Sequence, residues 1–355
     1  MRFFTQLTFM PKKILLLWSP LADYSVACLR YLAQKPDLEL YLIYQAAESS
    51  APYDDLDVSF CHQSFVQTAD NTDELAQFCD DLRPDTILMA SWNHALYMRI
   101  SRKCRQQGTY VVSVFDRQWL STPKQWLGVL TSSIYLKPSI DNFFVSGDRQ
   151  AAFARRLGYP NPYLGYNCAN TDRFKDLPAS SQKNFIFIGR LVAFKGVLPL
   201  LRAYAAYRAT ATEPWGLLIC GKGELESQCA DQPGVRMLGF TQPPLLPTHL
   251  AQATCLVLPS SFEPWGLVVH EATTAGLAVI ASHQVGATTY YVRDGQNGYI
   301  VEPNEETLLR AMRLVAESND EQLAAMRTTS QKLASLWTLP KWADYVHHHI
   351  CTRNS

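Results

Sequence analysis

The first half of the chain alternates short apolar runs with longer stretches whose apolar residues recur at helical spacing. Because the runs are rich in Val, Ile, Leu and aromatic residues, they predict strands buried on both faces of a sheet. Asn71 is the expected cap of one helix, and 46–67 is expected to be irregular. The pattern therefore predicts a parallel sheet covered by helices. Its strands are predicted at 14–18, 38–44, 86–90, 110–115 and 142–146, and its helices at 22–34, 72–82, 95–106 and 148–157.

The alternation stops at two polar, turn-rich segments, 158–162 and 177–183, and then restarts. The tail from 321 to 350 is expected to form two helical stretches broken at Pro340. Two doubly wound α/β domains facing each other across a cleft are the simplest architecture for this pattern, with domains at 1–170 and 171–338. The second set of strands is predicted at 185–189, 217–220, 235–238, 255–258 and 278–281, and its helices at 197–208, 266–275 and 305–317.

Composition narrows the classes of function. The chain has 355 residues, a length that exceeds what one ordinary core accommodates and therefore favours two domains. Hydrophobic residues make up 47% of it, which is ample for packing. The formal net charge is zero, so a nucleic-acid groove, which needs a basic excess, is not expected. The nine cysteines form no Cys-x-x-Cys pair and are expected to be reduced thiols of a cytoplasmic protein.

The sequence does not predict a membrane-spanning helix. The longest early apolar run, 14–18, is far shorter than the roughly 20 residues needed to cross a bilayer. Four cations, Arg99, Arg102, Lys103 and Arg105, lie on one predicted helix, where a solvated face is a simpler explanation than a membrane patch. The expected location is cytoplasmic, and peripheral contact with a membrane stays open.

Two glutamates carry the strongest chemical signal in the sequence. Glu263 follows the apolar run 255–258, and Glu271 lies eight residues later, with Pro264 and Gly266 between them. Pro264 suits the first turn of a helix, which would place Glu271 about two turns into it. Ligands bind at the carboxyl ends of parallel strands, and carboxylates there can accept hydrogen bonds from sugar or ribose hydroxyls.

Two cations follow the first predicted strand of the second half. Arg190 leaves the carboxyl end of the strand, and Lys195 lies just before a predicted helix. A guanidinium, an ammonium and the positive end of a helix together suit a diphosphate. A solvated pair of loop cations is the simpler explanation for these two residues in isolation, but the downstream glutamates favour the diphosphate site.

Gly221 and Gly223 flank Lys222 at the end of the next predicted strand. Glycines at that place let the backbone approach a ligand closely. A plain turn explains the two glycines equally well. No Asp-x-Asp or His-Glu-x-x-His pattern occurs, so no metal is expected.

In this order the motifs resemble the large family 4 of retaining glycosyltransferases. They are Phe-Ile-Gly-Arg-(x4)-Lys-Gly, Gly-Lys-Gly-Glu-Leu, Pro-Ser-Ser-Phe-Glu-Pro-Trp-Gly-Leu-(x3)-Glu-Ala and Asn-Gly-Tyr-Ile-Val-Glu-Pro. The match is specific across 184–303 and weak before 145. The resemblance implies the B-type glycosyltransferase (GT-B) fold. It also implies that 339–355 forms a helix packing back on the first domain.

The resemblance implies roles for the motif residues. Arg190 and Lys195 would bind the diphosphate of a nucleotide-sugar donor, with UDP and GDP both open. Glu263 would contact hydroxyls of the donor sugar, and Glu271 would bind the ribose. The backbone of the turn Pro264, Trp265, Gly266 and Leu267 would lie near the sugar.

Two departures from the family pattern concern the first domain. Members usually have a Gly-Gly loop after the first strand, where this chain has Trp-Ser-Pro-Leu-Ala-Asp and no glycine. Many members have an active-site His where this chain has Asp116. His94 is the other candidate for that role, although a helix-capping or core imidazole is the simpler explanation for it.

The resemblance therefore implies a retaining, metal-independent hexosyltransferase that moves a sugar from a nucleotide-diphosphate sugar to an unidentified acceptor (a glycan, a lipid or a small molecule). No cofactor is expected beyond that co-substrate. Two alternatives stay open, a non-catalytic paralogue that holds nucleotide sugar and a sugar-nucleotide epimerase of the same architecture.

Overall fold

A computed structural model describes residues 10–45, 56–90 and 92–353. The chain divides into two compact units. The first unit is Met1–Tyr166 together with Pro340–Ser355, and the second is Asn167–Leu339. The division falls a few residues before the predicted boundary at 170. Cys61 is half-buried, and the other eight cysteines are buried.

The first unit is built on a seven-stranded sheet in the order β3-β2-β1-β4-β5-β6-β7, with every pair parallel. Its central strands are almost completely buried, as their continuous apolar runs predict. The strands are β1 Lys12–Trp18, β2 Leu38–Tyr44, β3 Gln63–Val66, β4 Thr86–Ala90, β5 Tyr110–Phe115, β6 Asn142–Val145 and β7 Tyr163–Leu164. The helices are α1 Asp23–Leu32, α2 Thr72–Leu82, α3 Ala95–Gln106, α4 Pro123–Tyr135 and α5 Asp148–Arg156.

Three sequence predictions for this unit were wrong or incomplete. The segment 46–67, predicted to be irregular, contains the edge strand β3, which pairs with β2. Because β3 is mostly exposed, it has no apolar run that would predict a strand. The part of this prediction at 46–55 lies outside the described residues. Asn71 occupies the cap position of α2, but its side chain bonds Thr68 and Val66 in the preceding loop instead. Helix α4 was not predicted, because most of its apolar residues are exposed and do not face the core.

The second unit has a six-stranded parallel sheet in the order β10-β9-β8-β11-β12-β13. The strands are β8 Asn184–Ile188, β9 Gly216–Cys220, β10 Val235–Gly239, β11 Cys255–Leu258, β12 Ala278–Ser282 and β13 Gly298–Val301. The helices are α6 Thr171–Phe174, α7 Val197–Thr210, α8 Glu226–Cys229, α9 Leu246–Leu250, α10 Leu267–Thr274, α11 Thr288–Tyr291, α12 Glu305–Ala316 and α13 Asp320–Ala334.

The last helix, α14 at Leu339–Val346, continues into a π-helical turn at His347–Cys351. The break in the tail precedes this helix, and Pro340 lies within its first turn, where a missing N–H costs nothing. From Pro340 onward the helix belongs to the first unit, where Trp342 Nε1 donates to the carbonyl of Tyr166 at 2.8 Å. The resemblance-based expectation that the C-terminal helix packs on the first domain is confirmed.

Candidate functional site

The sheet of the second unit reverses its strand order between β8 and β11, which are neighbours in space but not in sequence. At such a switch point the connections from the two strands run to opposite sides and leave a crevice at their carboxyl ends. Arg190 and Lys195 lie on the loop after β8, and Glu263 lies on the loop after β11. The fold therefore brings the predicted cations and the first predicted acid to one crevice.

The two loops at this crevice are fixed to each other by backbone contacts. Gly196, with φ +75°, begins α7, and a Cβ there would lie 2.2 Å from the carbonyl oxygen of Pro259. The amide of Ser261 donates to the carbonyl of Phe194 at 2.8 Å. Only glycine permits this approach, which holds Lys195 beside the loop that carries Glu263.

Lys195 and Glu263 form an ion pair between Nζ and Oε2. Their side chains are only 14% and 13% exposed, so the pair is largely removed from solvent. Removing one member of such a pair leaves a buried charge without compensation. In this structure the carboxylate of Glu263 thus occupies the position that an anionic ligand would take beside the Lys195 ammonium.

Arg190 joins this cluster through the ring of Phe194. Its guanidinium carbon lies 5.7 Å from the ring centroid, and Lys195 Nζ lies 5.9 Å from the same centroid. Both distances are within the range of a cation–π contact. Arg190 is exposed, so its guanidinium is accessible to a ligand in the crevice.

Gly221 and Gly223 lie after β9, the strand adjacent to β8. A Cβ on Gly221 would lie 1.9 Å from the carbonyl oxygen of Gly189, and one on Gly223 would lie 2.4 Å from that of Leu191. The amide of Leu191 also donates to Lys222 O at 2.9 Å. The close approach that these glycines permit is therefore to the loop carrying Arg190, which they position.

The helix after Glu263 starts later than predicted. Gly266, with φ +87°, is the cap of α10, so Pro264 lies in the preceding turn and not in the helix. Glu271 is consequently one turn into α10, not two, and is partly exposed. Burial raises the pKa of the Cys220 thiol, and the Glu271 carboxylate raises it further. Since Cys220 ends β9, Glu271 faces the end of that strand beside Gly221.

The turn Pro264–Leu267 is held from the next loop of the sheet. The amide of Gly286 donates to Glu263 O at 3.1 Å, and that of Ala287 donates to Trp265 O at 2.8 Å. Trp265 is buried, with its ring centroid 5.4 Å from that of Tyr290. The packing of this turn fixes the backbone on both sides of Glu263.

Sequence analysis overlooked His270, which precedes Glu271 on α10. It is completely buried, accepts a hydrogen bond from the Ala169 amide at Nδ1 (3.2 Å) and stacks on Tyr291. Burial lowers the pKa of His270 to about 4. The imidazole is therefore neutral at pH 7 and anchors the helix that carries Glu271. Its position within the glutamate motif was the only signal for it.

The first unit has its own switch point, between β1 and β4. A cavity of about 330 Å³ opens there, and Asp116 lies at its edge, just after β5. Burial, together with the charge of Asp116, raises the pKa of Tyr24 to about 12. Asp116 itself is exposed. The cavity is lined by Trp18, Ser19, Pro20, Ala22, Tyr24, Ala90, Trp92, Asn93, Val114, Phe115, Asp116, Arg117 and Tyr166.

His94 does not line this cavity. Its ring stacks on Tyr97 with centroids 4.0 Å apart, and its Nε2 lies 3.0 Å from Gln45 Nε2. It occupies the cap position of α3 without making a capping bond. Burial lowers the pKa of His94. His94 is thus a packed imidazole, which leaves Asp116 as the candidate at the cavity.

Comparisons with known proteins agree with the motifs of the second unit. Residues 169–333 match the family model of the glycosyl transferases group 1. An uncharacterized glycosyltransferase of Methanocaldococcus jannaschii is 33% identical over 129 residues, which cover 34% of this chain and 32% of that protein. The glycogen synthase of Mycobacterium tuberculosis is 30% identical over 166 residues, which cover 44% and 40%. The chain thus spans 32% and 40% of the length of these two relatives.

Solved structures match over nearly the whole chain. Anabaena HepE, in complex with UDP and glucose, has a TM-score of 0.72 at 16% identity, over 96% of this chain and 100% of that one. The sucrose-phosphate synthase of Thermosynechococcus elongatus has a TM-score of 0.70 at 18% identity, over 95% and 98%. At these identities the likeness shows the fold alone. Residues 169–333 are therefore similar to the glycosyl transferases group 1, and the chain has the GT-B fold.

Proposed function

We propose that this protein is a retaining glycosyltransferase of family 4 that moves a hexose from a nucleotide-diphosphate sugar to an acceptor without a metal. The observation that carries the proposal is the Lys195–Glu263 ion pair at the switch point of the second unit, with Arg190 beside it. It combines the two kinds of group that such a donor needs, cations for the diphosphate and carboxylates for the hydroxyls.

Arg190 and Lys195 bind the diphosphate in this proposal. As the bond from the anomeric carbon to the phosphate oxygen breaks, negative charge grows on the departing diphosphate. Fixed cations stabilise that charge in the transition state, and a site that excludes water strengthens the effect. The amino terminus of α10 adds the positive end of a helix.

Glu263 and Glu271 bind the rest of the donor. When the diphosphate binds Lys195, the Glu263 carboxylate is released from its ion pair and accepts hydrogen bonds from hydroxyls of the donor sugar. Glu271, beside the end of β9, accepts from the ribose hydroxyls. The backbone of the Pro264–Leu267 turn lies along the sugar.

In the chemical step the acceptor oxygen bonds to the anomeric carbon on the face from which the diphosphate leaves. The proton of the acceptor hydroxyl passes to the departing phosphate oxygen. The products are the glycosylated acceptor and a nucleoside diphosphate. We assign the acceptor to the cavity of the first unit, where Asp116 orients its hydroxyl.

The proposal is tested by calorimetric titration of the full chain with UDP and with GDP, followed by turnover with a panel of UDP- and GDP-linked sugars. Replacing Arg190→Ala should weaken nucleotide binding and transfer by at least about tenfold, the loss of one charge-assisted contact. Arg202→Ala removes an exposed arginine of the same unit that pairs with Glu305, and should change neither. Transfer should also persist in a chelator.

Transfer by Arg190→Ala within threefold of wild type would contradict these roles. The alternatives give different results in the same assays. Donor binding without a labelled acceptor in a broad extract would indicate a binding paralogue. An epimerised donor in the absence of acceptor would indicate an isomerase.

A further inference from the structure

Helix α4 turns most of its apolar residues away from the core of the first unit. Among the described residues, six of the fourteen exposed large hydrophobic side chains lie in or just before it. Ile134 is 77% exposed, Leu130 75% and Leu127 61%. Trp126, Leu130 and Ile134 follow one another at intervals of four, and Leu127 lies three residues before Leu130, so these residues form one stripe along the helix. We call Leu120, Trp126, Leu127, Leu130, Ile134 and Tyr135 the α4 stripe.

The opposite side of α4 explains this inversion. Few of its inward residues are apolar: Gly128 is half-buried, Ser132 is buried, and the half-buried Val129 packs against the core. The helix is nevertheless well specified, because Pro123 is at its first position and Thr122 and Gln125 form a capping box. The exposed stripe is therefore part of a stable element and does not result from an unwound one.

Charge distinguishes the occupants of such a surface. Residues 117–140 contain three cations, Arg117, Lys124 and Lys137, all exposed, and no acidic residue. The cations of α3 differ, because acids of the same unit pair with them: Arg99 with Asp73, Lys103 with Asp80 and Arg105 with Asp141. Within the part of the chain that the structure describes, no acid pairs in this way with Arg117, Lys124 or Lys137.

We propose that the α4 stripe is a docking surface for an anionic lipid bilayer, on which α4 lies parallel to the membrane. A helix of 13 residues is about 20 Å long, too short to span a bilayer. With Trp and Leu on one side, and cations but no acid within 117–140, it has the composition of an interfacial helix. A second copy is less suited, since a two-fold contact would set the same cations against each other.

The experiment is co-sedimentation of the full chain with vesicles of phosphatidylglycerol and phosphatidylcholine, or of phosphatidylcholine alone. We expect binding to the anionic vesicles that weakens as salt rises. Leu130→Ser with Ile134→Ser should lower the partition coefficient at least about tenfold, or about 1.4 kcal/mol. Lys124→Gln with Lys137→Gln should reduce both the binding and its dependence on salt.

The matched control is Leu314→Ser with Leu336→Ser, two exposed leucines of the second unit, and it should leave partitioning within twofold. Circular dichroism checks that each variant is folded. An absence of binding to anionic vesicles, or equal binding by the stripe and control variants, would overturn the proposal. So would a dimer in sedimentation equilibrium that Leu130→Ser with Ile134→Ser abolishes, because the stripe would then cover a second copy. The assay contains no nucleotide sugar, so its result is independent of the proposed function.

Discussion

Lys195 and Glu263 each have two partners in the proposed cycle, first each other and then the donor. The ion pair holds the ammonium beside the crevice while compensating its buried charge. The donor replaces one anion by another at Lys195 and supplies hydroxyls to Glu263. Because Lys195 would bind the diphosphate and Glu263 the sugar, a substitution of one residue should affect the binding of one part of the donor more than that of the other.

Glu263→Gln should separate them. The variant removes the carboxylate that competes for Lys195, so UDP should bind at least as tightly as to wild type. The preference for UDP-glucose over UDP should fall at least about tenfold, because a charged acceptor of the sugar hydroxyls is lost. Calorimetric titration with both ligands measures the preference.

The control for that titration is Glu305→Gln, since Glu305 forms an exposed pair with Arg202 away from the crevice. It should leave both affinities unchanged. If Glu263→Gln weakened UDP and UDP-glucose equally, Glu263 would not be the residue that binds the sugar.

His270 gives the protein a dependence of stability on pH. Its pKa is lowered to about 4 in the folded state, against about 6.5 when unfolded. The unfolded chain therefore binds the proton more readily, and the free energy of unfolding should fall as pH falls through this window. The loss from this residue should approach about 3 kcal/mol near pH 4. Denaturant titrations from pH 7 to about 4 measure it.

His270→Asn retains an acceptor for the Ala169 amide but cannot be protonated in this range. The variant should be less stable at pH 7 because it loses packing against Tyr291, and its stability should fall less steeply towards acid pH. His348→Asn, at an exposed position, should keep the wild-type slope. Identical slopes for wild type and His270→Asn would show that this imidazole is not responsible.

At the scale of elements, the loops at the switch point are positioned by backbone contacts between neighbouring strands. The β9 loop touches the β8 loop at Gly221, and the β8 loop touches the end of β11 at Gly196. The site therefore depends on three connections packed in a row, whose contacts leave no space for a Cβ.

Gly221→Ala should destabilise the protein by at least about 2 kcal/mol, since the new Cβ would collide with the carbonyl of Gly189 and displace the loop that carries Arg190. The control is Gly108→Ala, which also has positive φ but no atom within 4 Å of the new Cβ. The difference between the two losses isolates the collision. Urea denaturation measures both, and equal losses would show that the close approach is not required.

At the scale of the whole molecule, each unit has its own buried apolar cluster. We expect two unfolding transitions in scanning calorimetry. UDP should raise the midpoint temperature of only the transition that belongs to the second unit. At a hundredfold excess over its dissociation constant a ligand adds about 2.7 kcal/mol. Two variants at buried positions should identify the transitions, because each destabilises one unit: Leu256→Ala in the second sheet and Leu16→Ala in the first.

A single transition, or an equal shift of both transitions by UDP, would contradict that assignment.

In the described part of the chain no helix is both long and apolar enough to cross a bilayer.

The sequence by itself determined the βα alternation and most strand positions, because buried parallel strands need continuous apolar runs. It also placed Arg190, Lys195 and Glu263 after strands. It missed β3, because an edge strand is specified by backbone pairing. It also missed α4, because most apolar residues of that helix do not contribute to the core.

Only the tertiary structure decided which loops meet. Strand order is a long-range property, and it is the adjacency of β8 and β11 that brings Lys195 to Glu263 across 68 residues of sequence. Likewise, Gly266 at positive φ, and not Pro264, sets the start of α10 and thereby the position of Glu271. Local propensities cannot report contacts between distant segments, and the candidate site consists of such contacts.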